Sequence, residues 1–257
     1  MSYLIICTVA LLASALTFFS GFGLGTLLLP AFALFFPIEQ AVALTAVVHF
    51  LNNLFKLALV GRHADRHVVL RFGLPAIAMS FLGAWVLVWL AGIAPVLTYP
   101  AFGQRVSVTP VNLVVGLLLL AFASRELFPR FRNLSFGPRY MPLGGLLSGF
   151  FGGLSGMQGA LRSAFLSRAG LTKEAFIGTG VVVACLIDVS RLAIYSRSLV
   201  AESPRFDYGL LAAAVFAAFF GAVLGNSYLK KMTMPGIQRT VAAMLFVVAL
   251  GLVSGLL

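Results

Sequence analysis

The N-terminal region constrains the fold most strongly, because residues 3–36 contain no charged side chain. A helix that crosses the roughly 30 Å hydrocarbon core of a bilayer needs about 20 predominantly apolar residues. Similar apolar runs recur along the whole chain, which is 61% hydrophobic and only 10% charged. A soluble domain carries about 25% charged residues, so this chain has too few charges for a water-facing surface. The sequence therefore predicts an all-α integral membrane protein in a lipid bilayer.

Ten hydrophobic segments can be drawn through the chain. They cover residues 3–20, 23–36, 39–60, 68–91, 110–127, 141–153, 156–168, 173–195, 208–229 and 238–257. Twelve of the 18 Lys and Arg residues lie in connections after odd-numbered segments, and three lie after even-numbered ones. Because Lys- and Arg-rich connections stay in the cytoplasm, we predict a multi-pass protein of the cell membrane with both termini non-cytoplasmic. The same distribution accounts for most of the net charge of +11 without a nucleic-acid partner.

An internal repeat relates the two halves of the chain at an offset of 134 residues. It aligns Gly21–Gly25 with Ser155–Gly159, Ala41 with Ala175, Thr45 with Thr179 and, after a small insertion, Gly83-Ala84 with Gly221-Ala222. Each half has five segments, an odd number, so the second half must enter the membrane from the opposite face. We predict inverted-topology repeats at 1–128 and 140–257, joined by a cytoplasmic basic linker at 129–139. Secondary transporters built in this way bind substrate near the midplane, where the repeats meet.

The first two segments of each half form a hairpin broken by glycine. Gly23 and Gly25 lie at the centre of the first hairpin, and Ser155, Gly156 and Gly159 lie at the centre of the second. Both hairpins have too few residues for two full crossings at 1.5 Å per residue. We interpret them as re-entrant hairpins whose tips lie inside the membrane, where the freed N–H groups of a helix start can bind an anion. Alternatively, the glycines only permit close packing of helices, within one chain or between the copies of a homodimer.

Polar side chains in the third and eighth segments follow helical spacing. The third segment carries one stripe, which consists of His49, Asn52, Asn53 and Lys56. In the eighth segment, Asp188 lies one helical turn from Arg191. Ionisable groups at membrane depth are costly and usually face a cavity or a partner. Asp188 and Arg191 could pair with each other, and His49 could titrate near neutral pH, which would suit proton coupling.

Arg162 and Gln158 follow the second glycine tip, and Arg162 is the best candidate to bind an oxyanion through two parallel hydrogen bonds. The predicted substrate-binding residues are Arg162, Gln158, Gly23, Gly25, Ser155, Gly156, Asn52 and Asn53. The predicted coupling or ion-pair residues are His49, Asp188, Arg191 and Lys56. As an alternative, the Lys56, Arg162 and Arg191 side chains snorkel to the membrane interface, and His49 only hydrogen-bonds to a neighbouring helix.

We expect no cofactor, no metal and no enzymatic activity. Cys7 and Cys185 lie in apolar runs and lack the spacing of metal ligands. The run 153–156, Gly-Leu-Ser-Gly, looks like the nucleophile motif of an intramembrane serine protease, but no histidine follows it to act as base. A purely structural membrane protein is a further alternative, yet such a protein would have little reason to retain buried ionisable groups.

The glycine motifs and their repetition resemble the sulfite exporter TauE/SafE family of membrane transporters. The resemblance rests on Gly21–Gly25 with Pro30, Ala41 and Thr45, and on the second set Ser155–Gly159, Ala175 and Thr179. It covers nearly the whole chain and implies export, or sometimes uptake, of small anions such as sulfite or organosulfonates, driven by the proton-motive force. A passive anion channel or uniporter is the nearest alternative. The second half departs from the family pattern at Met157, Gln158, Arg162 and Ala164, near the proposed site.

Overall fold

The structure is a computed structural model that describes residues 1–20, 23–101, 103–127, 135–201, 207–228 and 234–257. The helices are α1 (Ser2–Ser20), α2 (Leu24–Ala33), α3 (Ile38–Val60), α4 (Arg66–Ala91), α5 (Pro110–Leu127), α6 (Met141–Ser155), α7 (Gly159–Leu166), α8 (Lys173–Ala201), α9 (Tyr208–Tyr228) and α10 (Met234–Ser254). Short 3-10 turns occur at Gly61–His63 and Pro138–Tyr140. Several predicted features lie outside the described residues: Gly21, Phe22, most of the linker 129–139, Arg205, Lys230 and Lys231.

Four helical stretches of the described chain are long and apolar enough to cross a membrane. They are Ile38–His63, Arg66–Ala91, Lys173–Arg197 and Tyr208–Gly225. Shorter apolar helices accompany them at Ser2–Leu16, Leu24–Ala33, Pro110–Ser124 and Ala242–Ser254. The predicted class, a multi-pass and mostly helical membrane protein, is confirmed. The ends of α2 and α7 differ from the predicted segments 23–36 and 156–168, because these two helices contain only 10 and 8 residues.

One element was not predicted, a β-hairpin between α4 and α5. Strand β1 (Leu97–Ala101) pairs antiparallel with β2 (Gln104–Val108). The Tyr99 hydroxyl donates to the Ser254 carbonyl at 2.5 Å, which ties the hairpin to the end of α10. Each strand has only five residues, and Pro100 interrupts the first, so the two-residue alternation that marks a strand was too short to recognise.

Helices α4 and α6 pack with their backbones in contact. A Cβ atom at Gly145, Gly149 or Gly153 would overlap a backbone carbonyl of α4, and one at Gly83 would overlap the Phe150 carbonyl. These glycines recur every fourth residue on α6 and so form one face of that helix. The glycines of this face therefore serve packing inside one chain. A homodimer remains a prediction.

The main helix contacts of the first half recur between the corresponding helices when the two halves are exchanged. Helix α9 packs on α1 through Gly221 and Gly225, just as α6 packs on α4. Helix α5 packs on α10, and α3 packs on α8. The contact of α4 with α8 likewise has a counterpart in the contact of α9 with α3. When each helix of the first half is exchanged for its counterpart in the second half (α1 for α6, α2 for α7, and so on), each of these contacts becomes another of them or stays the same.

Asp207 joins the start of α9 to the start of α1. Its carboxylate accepts hydrogen bonds from the Tyr3 hydroxyl at 2.7 Å and from the Leu210 backbone N–H at 3.0 Å. These bonds, the one from Tyr3 foremost, lower the pKa of Asp207 below its ordinary value. A lowered folded-state pKa adds stability above the ordinary pKa of the carboxyl, and that stability is lost as the pH falls through the lowered value.

Tyr3→Phe is therefore expected to cause a small decrease in the melting temperature at neutral pH that disappears in acid. The measurement is thermal unfolding of the purified protein across a pH series. Tyr208→Phe is the matched control, because the Tyr208 side chain is 60% exposed. An equal decrease at every pH would show that the Tyr3 contact is independent of the Asp207 charge.

Candidate functional site

The starts of α2 and α7 meet in the interior of the protein. A Cβ atom built at Gly23 would lie 3.7 Å from the Gly159 backbone nitrogen, and one at Gly25 would lie 3.1 Å from the Gly156 carbonyl oxygen. Neither helix start has a side-chain cap. The first-turn N–H groups of an α-helix have no partner within the helix and carry a partial positive charge. Two such sets of donors therefore share one region, at the tips of the two predicted hairpins.

Gly156 makes the sharp turn between α6 and α7. Its φ of +78° lies in the left-handed region that favours glycine, and its N–H donates to the Gly152 carbonyl at 2.9 Å. A Cβ atom at this position would also lie 2.8 Å from Arg191 Nη1. Both the backbone conformation and the neighbouring guanidinium therefore require glycine at this tip.

Asp188 lies at the centre of a buried polar cluster. Its Oδ2 is 2.6 Å from His49 Nδ1 and accepts a hydrogen bond from Asn53 Nδ2 at 3.2 Å. Its Oδ1 is 2.7 Å from Arg191 Nη2 and 3.0 Å from Arg191 Nε. The predicted pair of Asp188 and Arg191 therefore forms, and His49 joins it from the other half of the chain. Arg191 is fully buried, which excludes the alternative that its side chain snorkels to the interface.

His49 connects this cluster to the glycine tips. Since a carboxylate only accepts hydrogen bonds, the ring must carry its proton on Nδ1, facing Asp188. The other nitrogen, Nε2, lies 3.6 Å from the position of a Cβ atom at Gly23. In this tautomer the unprotonated nitrogen thus lies beside the two helix starts, and Asn53 Nδ2 is 3.3 Å from it.

Gln158 links the cluster to Arg162. The Gln158 amide nitrogen donates to Asp188 Oδ1 at 3.4 Å, and its amide oxygen accepts from Arg162 Nη1 at 3.1 Å. Arg162 is half-buried, and its Nε lies 3.5 Å from the position of a Cβ atom at Gly180 on α8. A single buried side chain therefore bridges Arg162 and the central carboxylate.

The polar stripe of α3 divides between two environments. Asn52 faces away from Asp188: its amide nitrogen donates to Ser14 Oγ at 3.1 Å and to the Ala218 carbonyl at 3.2 Å, and its oxygen accepts from Lys56 Nζ at 3.2 Å. Lys56 is only 5% exposed, so its charge does not reach the interface. The structure thus separates Asn52 and Lys56 from Asn53 and His49.

The Ser155 hydroxyl donates to the Phe151 carbonyl of its own helix at 3.0 Å. Within the part of the chain that the structure describes, no histidine bonds to this serine, so nothing there supports it as a nucleophile. In the same residues, no three His, Cys, Asp or Glu side chains cluster as metal ligands.

Three buried hydroxyl groups near the site were not predicted to belong to it. Ser80 donates to the Ile187 carbonyl and Ser148 donates to the Gln158 carbonyl, each at 3.1 Å, and both bonds hold α8 and α7 in place. Thr45 Oγ1 is buried and has no hydrogen-bond partner in the described part of the chain, although its Cγ2 lies 3.7 Å from the Cβ position of Gly25. A buried hydroxyl without a partner is costly, which makes Thr45 a further candidate contact for a ligand. In the sequence, a single serine or threonine within an apolar segment gives no sign that it belongs to a binding site.

Comparison with known proteins gives a family match. The family model described as Sulfite exporter TauE/SafE matches residues 6–252. No curated protein and no solved structure matches the chain. The match spans both halves and includes every residue of the site described above.

Proposed function

The chain belongs to the sulfite exporter TauE/SafE family, and from that premise we propose that it carries a small anion, such as sulfite or an organosulfonate, across the cell membrane. Membership implies a membrane transporter, and the family name points to export. The observation that carries the proposal is the meeting of two uncapped helix starts beside His49. Such a pair of starts offers N–H donors and positive potential to an anion, and little to a cation.

We propose further that the two glycine hairpins are re-entrant and that the halves are inverted repeats. At 1.5 Å per residue, α2 and α7 are about 15 and 12 Å long, at most half of the hydrocarbon core. Their starts lie close together, and in the proposed topology their other ends lead back toward opposite faces of the membrane. The exchange symmetry of the helix contacts supports the duplication. In this topology the turn Gly61–His63 is cytoplasmic, and both termini are outside.

We propose that the anion binds between the helix starts. There it would accept N–H bonds from the first turns of α2 and α7. Thr45, whose Cγ2 lies 3.7 Å from the Cβ position of Gly25, has a buried hydroxyl without a hydrogen-bond partner among the described residues. Because the site is shielded from water by buried side chains, each charge acts more strongly than it would at the surface. This arrangement binds an oxyanion by backbone donors, so sulfite and a sulfonate head group both fit its chemistry.

His49 and Asp188 are proposed to carry the coupled proton. A proton gained by this pair adds one positive charge next to the helix starts and so strengthens the binding of an anion. Coupling of two binding events is reciprocal, so a bound anion must in turn favour protonation of the pair. Arg191 and Asn53 donate hydrogen bonds to the Asp188 carboxylate and hold it in place. The carboxylate in turn orients the His49 ring, with Nδ1 toward Asp188 and Nε2 toward the helix starts.

The test is sulfite flux in proteoliposomes containing the purified protein, with an imposed pH gradient. We expect sulfite to accumulate beyond its own equilibrium, because a proton moves with it. A passive channel would equilibrate sulfite without any uphill accumulation. Protein-free liposomes give the background rate. Flux of neither sulfite nor any organosulfonate above that background would contradict the proposal.

A further inference from the structure

We infer that Gln158 couples the bound anion to the proton: it accepts a hydrogen bond from Arg162 in the absence of substrate, and it loses that bond when Arg162 turns to the anion. The inference rests on the proposed transport function and adds to it the route by which an anion favours protonation of His49 and Asp188. In this route Arg162 contacts the substrate, and Gln158 is a positioning residue.

A continuous chain of hydrogen bonds leads from Arg162 to the proposed proton carriers. Arg162 Nη1 donates to Gln158 Oε1 at 3.1 Å, and Gln158 Nε2 donates to Asp188 Oδ1 at 3.4 Å. The other carboxylate oxygen, Asp188 Oδ2, lies 2.6 Å from His49 Nδ1. Gln158 is fully buried, so water does not compete for either of its bonds. One amide group thus joins the guanidinium to the groups that take up the proton.

The Arg162 guanidinium lies beside the start of α7. Side chains on a helix point back toward its N-terminus, and Arg162 reaches the side chain of Gln158, which immediately precedes this helix. A guanidinium has five N–H donors, and among the described residues one of them is engaged, by Gln158. An anion held by the first-turn N–H groups of α7 therefore comes within reach of the remaining donors.

The first half of the chain has no such polar pair. At the offset of 134 residues, Gln158 and Arg162 fall on Leu24 and Leu28. Both leucines are buried in the apolar core, at 2% and 0% exposure. The repeat therefore packs well with apolar side chains at these two positions. Burying polar groups there instead costs desolvation that packing does not offset, which indicates a role other than packing.

Charge decides which acceptor the guanidinium prefers. Hydrogen bonds to an ionised acceptor are roughly twice as strong as those to a neutral one, so an oxyanion displaces the amide oxygen of Gln158. The amide is then no longer held in place, and its long bond to Asp188 weakens. Because a hydrogen bond to the charged form of a carboxylate favours that form, its loss favours uptake of a proton by Asp188 and His49. The anion also offsets the positive charge of Arg162, which acts in the same direction.

Other charged or titratable groups also lie around His49 and Asp188. They are Lys56 of α3, Arg162 of α7, and Arg191, Cys185 and Tyr195 of α8. The titratable residues of α4 are exposed in its first two turns, and α2 and α6 have none. Among the described residues, the side chain of Gln158 bonds only to Arg162 and Asp188. Replacing Gln158 therefore leaves the other groups in place.

The experiment measures how strongly anion binding depends on pH. Methanesulfonate is the probe, because it stays a monoanion throughout, and thermal-shift titrations of purified protein give its dissociation constant. In the parent protein we expect the affinity to rise about tenfold from alkaline to mildly acidic pH, a typical size for coupling between two sites. Gln158→Met keeps the length of the side chain but removes both amide bonds, and it should reduce this change to about threefold or less.

Ser148→Ala is the matched control. The Ser148 hydroxyl donates to the backbone carbonyl of Gln158 at 3.1 Å, so its loss loosens the same residue without removing the amide. We expect a lower melting temperature and a parental pH dependence of methanesulfonate binding. An equal reduction of the pH dependence in both variants would show that Gln158 acts only by holding the local structure.

The outcomes separate this inference from the proposed function. If Gln158→Met transports sulfite and keeps the parental pH dependence of binding, coupling through Gln158 is refuted while the transport function stands. The same conclusion follows if the parent protein transports sulfite but binds methanesulfonate equally at every pH, or not at all. If the parent protein neither binds methanesulfonate nor transports any proposed anion, both ideas are refuted together. Should Gln158→Met fail to elute as a monodisperse peak, Arg162→Met decides: a parental pH dependence in that variant would equally overturn the inference.

Discussion

Asp188→Asn is expected to reduce anion flux by at least about a hundredfold, a barrier increase of about 2.7 kcal/mol, while the protein still inserts into the membrane. Asparagine keeps the shape of the side chain but removes the charge that pairs with His49 at 2.6 Å and with Arg191 at 2.7 Å. The amide has only one oxygen, so it cannot accept hydrogen bonds from both His49 and Arg191, and the proton of the imidazole is no longer fixed on Nδ1 by a carboxylate. The pair then no longer carries a proton next to the helix starts, so coupled transport stops.

The same substitution leaves Arg191 as a buried charge without its counter-ion, which typically costs about 3–5 kcal/mol of stability. Loss of transport must therefore be separated from loss of folding. The double variant Asp188→Asn/Arg191→Gln restores the charge balance, and we expect it to recover the melting temperature without recovering flux. The measurements are thermal unfolding in detergent and sulfite flux in proteoliposomes.

Glu174→Gln is the matched control for this prediction, because Glu174 is an exposed acid at the other end of the same helix, α8. It should retain parental flux. Parental flux in a well-folded Asp188→Asn protein would remove Asp188 from the coupling mechanism. Recovery of flux in the double variant would show that the cluster is needed only for stability.

Gly153→Val is expected to prevent stable folding. A Cβ atom there would overlap the Ser80 carbonyl oxygen and lie 2.9 Å from the Ala84 backbone nitrogen. Overpacking costs about 1–3 kcal/mol when side chains can move aside. Here the obstacle is the backbone of α4, so we expect a loss of about 3 kcal/mol or more, together with a large decrease in the monodisperse fraction after extraction.

Gly137→Val is the matched control, because a Cβ atom at Gly137 meets nothing within 4 Å and its φ of −66° suits any residue. It should leave the size-exclusion profile and the melting temperature close to those of the parent protein. If Gly153→Val behaves in the same way, α4 and α6 are not in backbone contact, and the packing face described above is wrong.

The local parts of the site could be predicted from the sequence because they depend on short spacings. Asp188 and Arg191 are three residues apart on a helix, so their pairing follows from helical geometry. The glycines of the two tips lie within a few residues of one another, and they predicted breaks at the places where α2 and α7 begin. The number of residues in each hairpin also predicted that it is too short for two full crossings of a bilayer.

The long-range parts could not be predicted, because no spacing encodes which helices touch. His49 and Asp188 are 139 residues apart and belong to different halves, so their contact depends on the packing of α3 against α8. The separation of the polar residues of α3 into two environments also depends on which helices pack around α3. Asn52 and Asn53 are neighbours in sequence, but Asn52 faces Ser14 and Ala218, whereas Asn53 faces Asp188.

The reciprocal helix pairing means that the two halves of the chain are interlocked. The first helix of each hairpin is held by the opposite half: α1 packs on α9, and α6 packs on α4. A chain divided in the connection between α5 and α6 would give two fragments, each lacking the surface against which its own hairpin is folded. We therefore expect any units that move against each other during transport to combine helices from both fragments.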